Sequence, residues 1–347
     1  MKVLCMHAAG LGELVAGSLT VDLSCRVLYS DDSAVLISTT APAKELSRLT
    51  YVKNAFVVVG SVPRRGSLRR SIEEISRELP RWHLPRSRRP FRLMFSEDGQ
   101  LTSVPSASRR ELETALNRAT GGRFTPRGGG DEYWTVSRRH LSEVLFCERV
   151  AHRRREQPGR GGLAPDLAEL VVNALGRPRS GDVVLDPFAG SGALIAARIR
   201  KPFREAICSD LGYGDGSIEL LPDVAHHSKV RSLSEDARTL ASVPDHSVDV
   251  VVTDPPWGEF DQQSVPAESL VVAALGTIHR VLRPGGKLAM LVARRLVADV
   301  EKGWRDNGFR VGRTYDLLVN GHPATLLVGD MPMTGARPPR EAQPPSG

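Results

Sequence analysis

Two short motifs in this sequence combine residue types that could hold a nucleoside-bearing cofactor and a planar amine. The first is Asp186-Pro-Phe-Ala-Gly-Ser-Gly192, and the second is Asp254-Pro-Pro-Trp-Gly258. Each motif directly follows a short apolar run, which is typical of a buried parallel strand. Ligands of open α/β sheets bind outside the carboxyl ends of the strands. Both motifs are therefore expected at the same edge of one sheet.

The glycines of the first motif predict a cofactor site. Gly190 and Gly192 allow the backbone to turn sharply from strand to helix and to approach a ligand closely. Backbone amides here and at the N-terminus of the following helix can donate to polar groups. The loop lacks the Gly-x-x-x-x-Gly-Lys-Ser/Thr pattern, which argues against an ATP phosphate site. The residues predicted to bind the cofactor are Asp186, Phe188, Gly190, Ser191, Gly192, Asp210, Asp236, Ala237 and Asp254.

Three acidic residues extend this prediction to a nucleoside. Asp186 could accept a hydrogen bond from an amino group of the cofactor or from a bridging water. Asp210, at the end of the next strand, could accept from both ribose hydroxyls, and Asp236 could accept from the adenine amine. A glycine loop alone is more often a tight turn, and a lone aspartate could be a helix cap. The ordered combination favours S-adenosylmethionine as the cofactor.

The second motif predicts a site that methylates an amino group. A purine amine is a poor nucleophile because its lone pair is delocalised into the ring. The Asp254 carboxylate and the Pro255 carbonyl could accept its two N–H bonds and help the nitrogen to become tetrahedral. Prolines stiffen the backbone, and Trp257 offers a flat face on which an extruded base could stack. The predicted catalytic residues are Asp254, Pro255, Pro256 and Trp257, the alternative being a merely rigid turn.

The composition is that of a globular protein without a metal-binding or membrane signal. At 347 residues the chain can form two or three domains, and its net charge of +7 permits an anionic partner. Its four cysteines have no metal-ligand spacing and are typical of a reducing compartment. No apolar run approaches the roughly 18 residues of a membrane span, and the short N-terminal apolar stretch does not fit a signal peptide. We therefore expect a cytoplasmic protein.

Changes of composition along the chain predict five segments. Short strands and helices alternate irregularly before residue 150, and they alternate regularly after residue 163. The fold class expected from this pattern is α/β, with a Rossmann-like domain that follows a smaller α+β region. The predicted segments are an N-terminal region at 1–60, an arginine-rich region at 61–152, a polar linker at 153–162, the Rossmann-like domain at 163–330 and a disordered tail at 331–347.

The arginine-rich region contains a predicted amphipathic helix. Apolar residues recur at helical spacing from Leu68 to Leu79, and arginines are frequent between residues 64 and 89. These arginines and Arg153–Arg155 could neutralise the phosphates of a nucleic acid. Because glutamates are interleaved with them, a solvated charged face is the alternative. A further helix is predicted over His140–His152.

At the residues of both motifs the sequence resembles the THUMP-domain RNA guanine-N2 methyltransferases. The typical motifs of that family run Asp-Pro-Phe-Cys-Gly-Ser-Gly-Thr and Asp-Pro-Pro-Tyr-Gly. The resemblance covers residues 155–330, including Gly162-Leu-Ala-Pro165, and is weaker across residues 1–150. It implies a class I methyltransferase domain preceded by ferredoxin-like and THUMP-like portions. It also implies an N2-methylguanosine product, usually in tRNA, with the THUMP region holding the 3′ end.

The sequence departs from the family pattern at several positions. Ala189 and Ala193 replace the usual Cys and Thr, Trp257 replaces Tyr, and Ala197 stands where Glu is common. The segment 211–216, after Asp210, is short and rich in glycine where the family has a helix. This departure concerns the ribose side of the predicted cofactor site.

The alternatives to a tRNA guanine-N2 methyltransferase are an enzyme that methylates another substrate and a protein that has lost the activity. The Asp-Pro-Pro-Tyr/Trp pattern also occurs in DNA adenine-N6 and cytosine-N4 methyltransferases, but no separate DNA-reading motif is present. Ribosomal RNA is an alternative to tRNA. A non-catalytic RNA-binding protein with a relic methyltransferase fold is a further alternative, against which the intact Asp254, Pro255 and Pro256 argue.

Overall fold

The computed structural model describes residues 1–126, 129–150, 162–258 and 267–333. The chain divides into two compact units, Met1–Glu156 and Gln157–Gly347. Residues 153–161 of the predicted linker and 334–347 of the predicted tail lie outside the described residues. Within the described ranges, no helix is both long and apolar enough to cross a bilayer.

The first unit is built from eight strands and four helices in its described part. In chain order these are β1 (Lys2–Met6), α1 (Gly12–Leu23), β2 (Arg26–Ser30), β3 (Ala34–Ser38), α2 (Ala43–Leu46), β4 (Asn54–Pro63), α3 (Leu68–Glu78), β5 (Phe91–Glu97), β6 (Gln100–Leu101), α4 (Ser106–Thr120), β7 (Asp131–Ser137) and β8 (Glu143–Arg149).

All eight strands of the first unit belong to one sheet, in the order β2-β3-β1-β4-β8-β7-β5-β6. The strands pair antiparallel except for β5 and β7, which are parallel. Strand β4 pairs with β1 on one side and with β8 on the other. The predicted division between residues 60 and 61 falls inside this strand. Both predicted N-terminal regions therefore contribute to the same sheet.

The predicted helix over His140–His152 is wrong, because residues 143–149 form strand β8. The central residues of β8, Val144 to Cys147, are all buried. A continuous apolar run of this length fits an interior strand as well as a buried helix turn, and periodicity cannot separate the two. Pairing with β4 and β7 satisfies the backbone polar groups on both sides and decides for the strand.

The predicted amphipathic helix of the arginine-rich region is confirmed as α3. Its buried residues include Leu68, Ile72 and Ile75, which join the core between the helices and the sheet. The arginines at positions 69, 70 and 77 are exposed on the other face. A fully buried aliphatic side chain contributes about 1.5–3 kcal/mol, so the apolar face fixes this helix and leaves its cations in solvent.

The second unit alternates strands and helices, and its described elements follow here in chain order. They are α5 (Pro165–Ala174), β9 (Val183–Asp186), α6 (Ala193–Arg198), β10 (Glu205–Ser209), α7 (Gly212–Asp215), α8 (Pro222–Ala225), β11 (Val230–Leu233), β12 (Val248–Thr253), α9 (Ala267–Val281), β13 (Leu282–Ala293), a 3-10 turn (Arg294–Leu296), α10 (Val297–Asp306), β14 (Arg310–Val319) and β15 (His322–Asp330).

The strands of the second unit form a seven-stranded sheet in the order β11-β10-β9-β12-β13-β15-β14. Strands β9 to β13 run parallel, and β15 pairs antiparallel with both β13 and β14. The predicted parallel sheet with a terminal antiparallel pair is confirmed. From β9 the chain first builds outward to β11 and then returns to add β12 on the other side. The order therefore reverses between β9 and β12, which opens a crevice at their carboxyl ends.

Candidate active site

The candidate site lies where β9 and β12 end side by side. Their register pairs Val184 with Val250 and Leu185 with Val251. Asp186 is consequently the last residue of β9 beside the end of β12, and Asp254 follows β12 directly. The two sequence motifs are thus brought together by the parallel pairing of strands that lie about seventy residues apart. This is the strand-order reversal at which α/β sheets bind ligands.

The glycine loop after β9 has the backbone that the sequence predicted. Gly190 and Gly192 have φ values of +50° and +81°, a region that favours glycine. A Cβ at Gly190 would meet no atom within 4 Å, so the space above this residue is open. A Cβ at Gly192 would lie only 3.0 Å from Leu220 and 3.2 Å from Val224. Gly192 therefore packs closely, whereas Gly190 leaves room for a ligand.

Asp210 joins the glycine loop to the segment that follows β10. Its Oδ2 accepts a 3.0 Å hydrogen bond from the Gly190 amide, and its Oδ1 accepts one of 3.0 Å from the Gly212 amide. Each carboxylate oxygen can accept further bonds. The carboxylate is therefore held in one orientation at the edge of the loop, with lone pairs that could accept from the hydroxyls of a ribose.

Tyr213 is a residue of this site that the sequence reasoning missed. It lies in α7, in the glycine-rich segment where the family resemblance pointed to a departure. Its phenol donates a 2.7 Å hydrogen bond to the Gly190 carbonyl. Burial raises the pKa of Tyr213, so the phenol remains a protonated donor. A single tyrosine among glycines directly after Asp210 was the signal available in the sequence.

Asp236 lies one strand farther along the same edge, in the loop after β11. Its carboxylate is bound by the Arg238 guanidinium, with Nη2 at 2.6 Å from Oδ2 and Nε at 3.0 Å from both oxygens. These hydrogen bonds hold the pKa of Asp236 below its usual range. A ligand amine would therefore share this carboxylate with a guanidinium. The neighbouring Ala237 is buried.

Asp186 is almost fully buried at the base of the crevice, with 1% of its surface exposed. Its Oδ1 accepts a 3.1 Å hydrogen bond from the Phe188 amide. Burial raises the pKa of Asp186 to about 8, and the nearby charges of Asp254 and Asp210 add to this effect. The carboxyl therefore holds a proton at pH 7 and can donate a hydrogen bond as well as accept one. The sequence reasoning had assigned it the role of acceptor alone.

Asp254 is oriented by the tryptophan of its own motif. The Trp257 indole Nε1 donates a 2.9 Å hydrogen bond to Oδ1 of Asp254. Burial raises the pKa of Asp254 to about 7, and the bond from Trp257 partly lowers it again. Among the hydrogen bonds of the described residues, none reaches Oδ2 of Asp254. Pro255 is buried and Pro256 is half-buried, which keeps this turn rigid.

Trp257 is partly buried against the core of the second unit, so only part of its ring is available for stacking. The Arg295 guanidinium donates to the Trp257 carbonyl from the 3-10 turn after β13. Gly258, the next residue, has a φ of +74°. Arg295 lies just after the end of the neighbouring strand β13, and it therefore holds the backbone at the end of the turn Asp254–Gly258. Sequence reasoning missed this residue because the contact depends on the pairing of β12 with β13.

The described residues of the site contain no group of histidine, cysteine or acidic side chains that could hold a metal ion. What they bring together is a rigid carboxylate, two prolines and an indole, beside an open glycine loop with a fixed second carboxylate. Such a set can orient an amine by hydrogen bonds and accept a proton from it. Of the predicted residues, Asp186, Gly190, Asp210 and Asp254 share one crevice edge, while Asp236 and Ala237 lie at its far end.

A family model describes part of the second unit. The RMKL-like methyltransferase domain matches residues 223–311, a stretch that contains Asp254–Gly258. The parallel sheet, the reversal of strand order and this match agree with one another. The second unit has the fold of a Rossmann-like methyltransferase domain.

Two curated proteins are similar to part of the chain, and both are described as tRNA (guanine(10)-N2)-dimethyltransferases. The protein from Methanothermobacter thermautotrophicus is 30% identical over 165 residues, which is 46% of each chain. The protein from Methanocaldococcus jannaschii is 28% identical over 176 residues, which is 49% of this chain and 45% of that protein. The chain thus spans about half the length of the curated relatives it matches.

Solved structures resemble the fold over nearly the whole chain. The match to TrmN from Thermus thermophilus has a TM-score of 0.74 at 21% identity, and it covers 95% of this chain and 99% of the TrmN chain. The match to SMU.472, which is described as a putative methyltransferase complexed with SAH, has a TM-score of 0.59 at 12% identity. It covers 97% of this chain and 99% of the SMU.472 chain. At these identities the likeness concerns the fold.

Proposed function

We propose that this chain is an S-adenosylmethionine-dependent RNA methyltransferase that modifies the exocyclic N2 amine of guanosine, with tRNA as its substrate. One observation carries the proposal. The Asp254 carboxylate, oriented by the Trp257 indole at 2.9 Å, directly follows β12, the strand beside the one that leads into the glycine loop, whose Gly190 amide is bound by the Asp210 carboxylate. An acceptor for an amine therefore lies beside a site that suits a nucleoside.

The residues of the crevice fit S-adenosylmethionine. The open space above Gly190 admits a ligand against the backbone, and Asp210 presents fixed lone pairs for ribose hydroxyls. Ser191, Gly192 and Phe188 complete the loop that we assign to this cofactor. SMU.472, which shares the fold, is described as a complex with SAH, the demethylated form of the same cofactor. When bound, the cofactor supplies an electrophilic methyl group on a sulfonium.

The chain's own residues would then act on the acceptor amine. Oδ2 of Asp254 and the Pro255 carbonyl accept hydrogen bonds from its two N–H groups. These bonds favour a tetrahedral nitrogen, whose lone pair is no longer delocalised into the ring. Positioning of this kind supplies most of the catalytic effect when the leaving group is already good. The amine must lose one proton when its nitrogen forms the new bond to carbon. Asp254, with a pKa of about 7, can accept that proton near neutral pH.

The choice of guanosine N2 in tRNA is supported by the relatives and by the charge of the first unit. Both curated relatives are described as acting on guanine N2 of tRNA. Helix α3 carries exposed arginines at positions 69, 70 and 77, which suit the phosphates of an RNA. We also retain the assignment of the first unit to ferredoxin-like and THUMP-like portions, and of the enzyme to the cytoplasm, as parts of this proposal.

The test is methyl transfer from radiolabelled S-adenosylmethionine to bulk tRNA, ribosomal RNA and DNA, followed by nucleoside digestion and mass spectrometry. We expect the label in N2-methylguanosine from tRNA, and no label with the Asp254→Ala variant. Label in ribosomal RNA alone would retain the reaction and change the substrate. Label in DNA adenine or cytosine, or no transfer by a protein that binds the cofactor, would overturn the proposal.

A further inference from the structure

A cavity of about 340 Å³ opens at the edge of the parallel sheet opposite to the candidate active site. It lies at the amino ends of β9, β12 and β13, below the last turn of α5. Its walls include the apolar side chains of Val172, Leu175, Val250 and Met333, and seven charged residues also line it. A volume of this size falls within the range of small-molecule sites.

Both carboxylates that line the cavity are neutralised within the protein. Asp182 accepts a 2.7 Å hydrogen bond from Arg198 and a 2.8 Å bond from the Arg179 amide. Asp249 forms a 2.7 Å ion pair with Arg283 and accepts a 2.8 Å bond from the Val183 amide. These two carboxylates are therefore paired with the guanidinium groups of Arg198 and Arg283 and do not neutralise the other cations of the cavity.

Three further cations line the same cavity, namely Arg177, Arg179 and Lys287. In the described part of the chain none of the three forms an ion pair with a carboxylate. The Lys287 ammonium donates a 2.6 Å hydrogen bond to the Leu175 carbonyl, which leaves two of its three donors. The Nε atom of Arg283 is buried and has no hydrogen-bond partner among the described residues. Buried donors are normally satisfied, so Nε of Arg283 lacks an acceptor, whereas Arg177, Arg179 and Lys287 are exposed at the mouth of the cavity.

We propose that this cavity binds a phosphate group. Guanidinium groups donate two parallel bonds to phosphate oxygens, and a lysine adds a compact positive charge. An anion of charge −2 would neutralise most of the excess positive charge of the cavity. The volume also exceeds that of a bare phosphate and admits an attached sugar. Because the cavity lies at the opposite edge of the sheet, its ligand is not the methyl acceptor, and the inference does not depend on the proposed function.

The test compares three forms of the full chain. The cavity variant is Arg177→Gln/Arg179→Gln, and the charge-matched control is Arg200→Gln/Arg305→Gln, which removes two exposed cations of the same unit outside the cavity. Binding of inorganic phosphate and of AMP is measured by calorimetry and by thermal unfolding, with chloride at equal ionic strength as reference. We expect at least tenfold weaker binding by the cavity variant and unchanged binding by the control.

The phosphate could belong to an RNA backbone or to a free phosphorylated molecule. Measuring the tRNA affinity of the three forms at several salt concentrations distinguishes the two. If the ligand is an RNA backbone phosphate, the cavity variant binds tRNA more weakly than the control, and its salt slope decreases by about 0.7–0.9 for each phosphate that the variant no longer neutralises. If the ligand is a free phosphorylated molecule, tRNA binding is equal in all three forms, while the cavity variant binds phosphate or AMP at least tenfold more weakly. Equal behaviour of all three forms in both measurements would overturn the proposal.

Discussion

The indole nitrogen of Trp257 donates a 2.9 Å hydrogen bond to Oδ1 of Asp254, so the aromatic residue of the catalytic motif orients its acid. The sequence had assigned the ring to stacking on a base. In the structure the ring is partly buried against the core, and its indole nitrogen fixes the carboxylate. The packing of the Trp257 ring and its hydrogen bond both restrict the Asp254 carboxylate before any substrate binds.

Trp257→Phe keeps a flat ring and removes the indole donor. A hydrogen bond to a charged group contributes about 1.5–3 kcal/mol, so we expect kcat to fall roughly 10-fold to 100-fold. The pKa of Asp254 should rise, because this bond is the interaction that lowers it. Steady-state kinetics over a pH series measures both effects. A variant with normal kcat and an unchanged pH profile would contradict the orienting role.

Asp254 should control the pH dependence of methyl transfer. Its carboxylate is the form that accepts N–H bonds, and its pKa is about 7, so kcat/KM should rise as the pH increases through 7. Asp254→Ala should nearly abolish turnover and leave the calorimetric affinity for S-adenosylmethionine close to that of the wild type. Turnover at the normal rate in this variant would exclude the assigned role.

Cofactor affinity should depend on Asp210 more than on Tyr213. Asp210 is assigned to the ribose, whereas Tyr213 acts through the Gly190 carbonyl at 2.7 Å. A neutral hydrogen bond contributes about 0.5–1.5 kcal/mol, so Tyr213→Phe should weaken cofactor binding about 2-fold to 10-fold, and Asp210→Ala should weaken it further. Calorimetry compares them with Asp215→Ala, an exposed acid of the same helix. Unchanged affinity in Asp210→Ala would refute the ribose assignment.

Arg295 and Arg294 form a matched pair for testing the support of the catalytic turn. Arg295 donates to the Trp257 carbonyl, whereas the adjacent Arg294 pairs with Asp316 at 3.1 Å. Arg295→Ala should lower kcat about tenfold with little change in cofactor affinity, and Arg295→Lys should restore part of the activity because it retains a cationic donor. Arg294→Ala should behave like the wild type. Equal kinetics in both alanine variants would remove Arg295 from the site.

Asp186 should make the protein less stable as the pH rises. An unfolded aspartate ionises near pH 3.8, while burial raises the pKa of Asp186 to about 8 in the folded state. Between these values the folded state holds a proton that the unfolded state has released, so the free energy of unfolding falls with increasing pH. The slope is at most about 1.4 kcal/mol per pH unit.

The neutral variant Asp186→Asn tests this effect, because it should lose less stability than the wild type between pH 5 and pH 8. Urea unfolding at both pH values gives the comparison, and Asp299→Asn, at an exposed position of α10, is the control. If the wild type and Asp186→Asn show the same dependence on pH, then the buried carboxyl is ionised in the folded state.

Much of the second unit was predictable because its signals are local. The apolar run before Asp186 and the run before Asp254 are strands, and their parallel order follows from the helices between them. The turn from strand to helix at Gly190 requires a residue that adopts positive φ. Helix α3 was equally readable, since its buried residues repeat at helical spacing. The fold and the location of the candidate site depend on these patterns.

Tertiary structure alone decided the contacts between elements that are distant in the sequence. Strand β8 is a strand because β4 and β7 pair with it, although its apolar run also fits a helix. The contact of Arg295 with Trp257 depends on the register of β13 against β12. Burial of Asp186 and Asp254 depends on the whole core around them. Local sequence patterns specify which residues stand at the strand ends, and packing determines their partners and their protonation, because both arise from neighbours that no local pattern encodes.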